Sequence, residues 1–179
     1  MSNKRAGSIF NGQSWLHADL ETAKAIYQQF GFELMNFKES AEGKDYAACS
    51  FELDHQKVQY RASKITPTKT GQFVTIWKRS VIGLTEPFDI SDGIDFIIIS
   101  VRSGDNLGQF IFPNVVLSAQ GIISRNGIGG KRGIRVYPPW DTPTSRQAMK
   151  TQNWQVKYFY AIKKSNTAVD FPLHLFEKQ

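Results

Sequence analysis

The sequence is poor in several things, and each shortage excludes a class of chemistry. It has one cysteine, Cys49, so neither an internal disulfide nor a cysteine zinc cluster can form within the chain. A reducing cytoplasm is the expected setting, and Cys49, placed mid-strand, reads as a small buried hydrophobe. Only three histidines occur, His17, His55 and His174, and nothing pairs them at ligand spacing, which speaks against zinc. No apolar run approaches the ~20 residues that span a bilayer. Lys4 and Arg5 are followed by no apolar core, so no secretory leader is expected. Ser100 and Ser145 lack a G-x-S-x-G elbow, which gives no support to a serine hydrolase. Acidic residues are scarce in two long stretches. Residues 57–80 contain six basic and no acidic side chains, and residues 121–164 contain nine basic ones against Asp141 alone.

What is present is an ordinary globular composition over 179 residues, with 41% hydrophobic and 21% charged side chains. That length suits one domain. Net charge is +6 and the sequence pI is about 9.4. The two basic stretches flank residues 81–120, which carry one basic and five acidic residues. Cations concentrated in this way repel one another unless an anionic partner relieves them, and their field draws polyanions. The alternative is a solvated basic surface.

Periodicity divides the chain into elements. Leu16, Leu20, Ala23, Tyr27 and Phe30 form one apolar stripe, which predicts a helix over residues 14–30, capped by Ser14 and stopped at Gly31. Alternation predicts strands over 46–53 and 58–65, joined by the turn Asp54-His55-Gln56, and a third over 72–79 after a turn ending at Gly71. Residues 94–101 are almost continuously apolar, the mark of a central strand covered on both faces. Short strands are expected at 109–112 and 134–137. A last helix is expected from Thr142 and Pro143, with Trp154, Tyr158, Ala161 and Ile162 on its buried face. The expected fold is α+β: a single domain over 1–179, with a central mixed β-sheet flanked by N- and C-terminal helices. Its core lies at about 14–164, and 165–179 form a loosely docked tail.

Several motifs carry possible chemistry. Residues 126–132 are glycine-rich and end in Lys131 and Arg132. They fail the nucleotide-binding P-loop pattern, because Arg125 stands where its first glycine belongs and Arg132 where Ser or Thr belongs. A phosphate-backbone clamp and a plain flexible hairpin both remain open. Cations alternate with aromatics at Tyr60-Arg61, Trp77-Lys78-Arg79 and Arg135-Val136-Tyr137, with Trp140 nearby. This arrangement holds phosphates and stacks bases in single-strand sites, although Tyr60 and Trp77 are expected to be mostly buried. Period-two alternation puts Arg61 and Lys64 on opposite faces if they share one strand. Asp89, Asp92 and Asp95 precede the apolar strand. Carboxylates there could hold Mg²⁺ or Mn²⁺ beside Lys64, with Glu52 as a further acid, or they could simply shape a turn and pair with cations.

Four runs carry a resemblance: 61–79 (RASKITPTKTGQFVTIWKR), 88–102 (FDISDGIDFIIISVR), 108–113 (GQFIFP) and 129–141 (GGKRGIRVYPPWD). Together they resemble the MepB family, small bacterial cytoplasmic proteins, over roughly residues 15–162. The resemblance implies a restriction-endonuclease-like fold with affinity for nucleic acid. The sequence departs from the active nuclease pattern of such folds. Ala62 stands where an acid should precede Lys64, and no Glu-x-Lys follows Asp95. The expectation is therefore a non-catalytic nucleic-acid-binding protein, for DNA or RNA, that needs no cofactor and no metal. Its phosphate contacts would be Arg61, Lys64, Lys69, Lys78, Lys131, Arg132 and Arg135, with Trp140 as an exposed stacking ring. Two other readings stand beside it. One is a divergent Mg²⁺- or Mn²⁺-dependent nuclease using Asp92, Asp95 and Lys64. The other is a small-molecule or protein-partner adaptor linked to drug response.

Overall fold

A computed structural model describes residues 16–177. Helix α1 (Ala18–Gln29) leads into β1 (Leu34–Glu39), β2 (Cys49–Leu53) and β3 (Gln56–Ala62). The chain then builds β4 (Lys64–Thr66), β5 (Lys69–Thr75) and a hairpin of β6 (Trp77–Arg79) and β7 (Thr85–Pro87). It continues through β8 (Phe96–Ser103), β9 (Asn106–Pro113), α2 (Asn114–Ala119), β10 (Gly133–Val136) and α3 (Arg146–Gln155). Strands β11 (Phe159–Ile162) and β12 (Ala168–Val169) close it. The large sheet runs β1-β2-β3-β8-β9-β11-β12, and the small one β10-β5-β4. Every pair in the large sheet is antiparallel except β3–β8, so the sheet is mixed, as expected from the order helix, several strands, helix.

The two faces of the large sheet make two cores. Strand β8 divides its apolar run between them by period two. Phe96 and Ile98 join Leu20, Ile26 and Tyr27 of α1 on one face, while Ile97, Ile99 and Val101 join Val74, Ile134 and Val136 of the small sheet on the other. A fully buried side chain of this size contributes about 1.5–3 kcal/mol. No helix among the described residues is long and apolar enough to cross a membrane.

Local chemistry sets the boundaries. The turn after β2 is the two-residue connection Asp54-His55, both at positive φ, with Leu53 paired to Gln56. Helix α1 ends with Gly31 at φ +82, while the Phe32 amide donates to the Tyr27 carbonyl at 2.9 Å. Its cap is His17, whose ring accepts from the Asp19 amide; the expected Ser14 cap lies outside the described residues.

Five expectations about the chain's organisation are corrected. The strand over 46–53 begins only at Cys49, because residues 44–46 form a short 3₁₀ turn. The strand over 58–65 breaks at Ser63, where the chain crosses from the large sheet to the small one, and the strand over 72–79 breaks at Ile76. The last helix starts at Ser145 and stops at Gln155. Tyr158, Ala161 and Ile162 therefore share no helical face with Trp154: the chain re-extends as β11 against the open edge of β9, and the Tyr160 hydroxyl donates to Gln109 Oε1 at 2.6 Å. Beyond Lys164 the chain is packed rather than loose. Phe176 is buried in the first core, and Phe171 stacks on Phe30 at 4.3 Å.

Candidate functional site

Strand β5 carries the residues that gather the cations. Its even positions, including Val74, face the core. Its odd positions face outward, and antiparallel pairing places Arg135 and Lys64 on either side of Phe73 in one row. Lys64 Nζ lies 5.0 Å from the Tyr46 ring centre, and Tyr46 meets Phe73 edge-on at 6.1 Å. Arg135 is held by the facing ends of β4 and β5: Nη2 donates to Thr66 Oγ1 at 2.6 Å and Nη1 to the Thr70 and Gly71 carbonyls. Phe73 and Arg135 line a hollow of about 650 Å³ together with Lys69 and Lys131. Two residues along the same face, Thr75 lines a second hollow of about 680 Å³, so the two depressions adjoin along β5.

This second hollow is built around Arg61. Period two puts Gln59 and Arg61 of β3 on the face opposite Val58 and Tyr60, and Ser50 of β2 is the cross-strand partner of Gln59. Residue Arg61 is 5% exposed. Its Nη1 donates to the Tyr60 carbonyl at 2.7 Å and to Gln59 Oε1 at 3.5 Å, and its guanidinium carbon lies 5.8 Å from the Phe88 ring centre. Among the described residues no carboxylate lies within ion-pair distance of it. Burial pushes its pKa down to about 10, which still leaves it charged at neutral pH. Half-buried Trp77 forms another wall, with the Arg79 guanidinium 5.2 Å from its ring centre.

Two other cations of this hollow are matched by acids, while Lys38, also in its lining, has no ion-pair partner among the described residues. Arg79 grips Glu42 through Nε and Nη2, and those hydrogen bonds hold the Glu42 carboxyl below its usual range. Lys78 Nζ donates to Asp92 Oδ1 at 2.6 Å and lies 3.4 Å from Glu86. Burial is the largest single influence and works against its charge, but the Asp92 and Glu86 contacts together outweigh it and raise the pKa. Among the described residues Lys64, Lys69, Lys131, Arg132 and Arg135 have no ion-pair partner.

Three expectations about the site change. Trp140 is not an exposed platform. It is half-buried against the second core, with its ring edge-on to Phe159 at 5.6 Å and its Nε1 buried without an acceptor. The glycine-rich loop does not offer a free nest of amides, because Gly127 N–H donates to Asp89 Oδ2, Ile128 N–H to the Arg125 carbonyl and Lys131 N–H to the Ile122 carbonyl. The Ser124 hydroxyl and the amides of Gly127 and Ser91 together hold the Asp89 carboxyl well below its usual range. The acids and Lys64 do not converge. Asp95 Oδ2 accepts from the Lys57 amide at 2.8 Å, at one end of β3, whereas Lys64 lies beyond the other end, about 20 Å along the strand. Asp92 caps a 3₁₀ turn by accepting the Asp89 amide, and Glu52 accepts from Asn36 at 3.0 Å. Among the described residues no three His, Cys, Asp or Glu side chains gather as a metal site.

Sequence reading missed Ser50, Gln59 and the depth of Arg61. The signal was there in the alternation Val58-Gln59-Tyr60-Arg61, which puts two polar side chains side by side on the face away from Tyr60.

Comparison with known proteins fits this frame. No curated protein matches the chain. The crystal structure of MepB is 31% identical and superposes with a TM-score of 0.72, covering 83% of this chain and 99% of that one. A bacterial homing endonuclease is 15% identical with a TM-score of 0.41, over 82% of this chain and 94% of its own. The family profile described as MepB-like matches residues 40–161, which include Arg61, Phe73, Trp77 and Arg135. With most of both chains aligned to MepB and two thirds of this one matched by the profile, the protein belongs to the MepB-like family.

Proposed function

We propose that the protein is a non-catalytic nucleic-acid-binding protein that grips the phosphate backbone across the outward face of β5 and β10. The observation that carries the reading is the row Arg135–Phe73–Lys64, continued by Lys69 and Lys131 and free of paired acids. Uncompensated cations at fixed strand spacing suit a repeating phosphate chain, because phosphate contacts set position and carry no sequence information. Arg132, whose Nε rests on the Thr85 carbonyl at 3.0 Å, extends the set toward the β6–β7 hairpin. No catalytic step is assigned to Asp92 or Asp95, since both carboxylates already hold backbone amides and Asp92 also holds Lys78. The reading places the protein in the cytoplasm, where nucleic acid is available.

Fluorescence anisotropy of a labelled short duplex, titrated with protein across a salt series, tests this. Five neutralised phosphates give a slope of log K against log salt of about −4.5. A flat response overturns the reading.

A further inference from the structure

The hollow around Arg61 asks for a different ligand from the open face beside it. A guanidinium has five N–H donors, and here only Nη1 is used by the protein. Among the described residues the Nε and Nη2 edge has no hydrogen-bond partner, and neither atom is sealed from solvent as a buried orphan. A two-donor fork on a residue 95% buried therefore opens into a cavity of about 680 Å³, a size typical of small-molecule clefts. That fork matches two oxygens of one phosphoryl or carboxyl group. Ser50, Gln59 and Thr75 add hydroxyl and amide groups to the lining, and Trp77 and Phe88 add aromatic wall. Glu39 also lines it, and Glu42 is occupied by Arg79.

A phosphodiester inside a duplex carries a substituent on each side and sits on a convex surface, so it cannot be lowered onto a guanidinium at the floor of a concavity. A phosphomonoester has one substituent and about −1.5 to −2 charges, and it enters end-on. An aromatic ring beside the anion site suits a planar base, since stacking on such side chains tolerates any base.

We propose that the Arg61 hollow binds one phosphomonoester joined to a nucleoside, either a free nucleoside 5′-monophosphate or the 5′-phosphorylated end of a strand. The phosphoryl group meets the Nε–Nη2 edge of Arg61, and the base lies along Trp77. This deepens the nucleic-acid reading by naming what the deepest cation on that surface recognises, and it rests on that reading only for the strand-end ligand.

Calorimetric titration of the full chain with adenosine 5′-monophosphate, adenosine and inorganic phosphate, and with one oligonucleotide carrying either a 5′-phosphate or a 5′-hydroxyl, tests it. The monophosphate binds at least tenfold more tightly than adenosine or inorganic phosphate. A tenfold preference for the phosphorylated strand names the strand end as the ligand; monophosphate binding without that preference names the free nucleotide. Arg61→Met removes the binding. Ser50→Glu, at a partly exposed strand position between Gln59 and Lys38, sets a tethered carboxylate in the lining and weakens binding at least tenfold. Both variants keep the duplex salt slope. Equal affinity for monophosphate and adenosine, equal affinity for monophosphate and inorganic phosphate, or unaltered binding in folded Ser50→Glu overturns the proposal. A flat duplex salt response with intact monophosphate binding overturns only the backbone reading.

Discussion

Gln109 shows how one amide organises a polar interior. Its Oε1 accepts from both Tyr27 and Tyr160 at 2.6 Å, and its Nε2 donates to Ser100 Oγ at 2.9 Å, which also accepts from Tyr60 at 2.7 Å. Burial raises all three phenols above their ordinary pKa, so they stay neutral donors. Gln109→Leu fits the space but leaves two buried hydroxyls without an acceptor. It is expected to cost about 2–4 kcal/mol in urea unfolding, with m unchanged. The only cysteine, by contrast, does nothing chemical: burial pushes the Cys49 thiol up to about 12, as its place in an alternating strand foretold. Arg61 carries the opposite burden. Lowering its pKa to about 10 costs the folded state about 3 kcal/mol wherever the group is charged in both states. That penalty is in full force at every pH below about 10 and fades only above it.

At the scale of elements, what the sequence disclosed was whatever depends on neighbours in the chain. The Asp54-His55 hairpin, the Gly31 stop of α1 and the two-sided burial of β8 follow from turn chemistry and from periods of two and 3.6. What stayed hidden depends on partners far away. Residues 158–162 have a spacing that fits a helix, and only the unpaired edge of β9 draws 159–162 into a strand. Ser63 looks like any strand residue, yet its amide bonds to the Ser100 carbonyl at 3.0 Å, and there the chain changes sheets. That crossing settles the relation of Arg61 to Lys64: one lies in the large sheet and the other in the small, so alternation along a single strand does not govern them. The β6 strand places Arg79 where Glu42, from the segment between β1 and β2, neutralises it. Glu42→Gln removes that neutralisation on an exposed rim. Stability should change little, while duplex binding tightens and the salt slope steepens by about 0.9, read by the same anisotropy titration.

At the scale of the molecule the question is whether charge acts as a sum or as a pattern. A net charge of +6 spread evenly would attract any polyanion with no preferred face. The fold does not spread it. Acids from the 81–120 segment and the early chain are spent on Lys78, Arg79 and Arg102, with Asp19 holding Arg102 at 2.5 Å. Five unmatched cations of the two basic stretches, Lys64, Lys69, Lys131, Arg132 and Arg135, meet along β5 and β10, although up to about 70 residues separate them in sequence. Two triple variants separate the alternatives, since each lowers net charge by three. Lys64, Lys69 and Lys131 are exposed on the proposed face, so replacing all three by alanine should leave Tm nearly unchanged and flatten the duplex salt slope from about −4.5 to about −2. Lys24 sits on α1 across the large sheet, and Lys163 and Lys164 line a separate hollow beside β11. Their replacement by alanine should keep the slope within about half a unit of the parent. If both triples flatten the slope equally, net charge alone draws the polyanion, and the β5–β10 face has no privileged role in holding it.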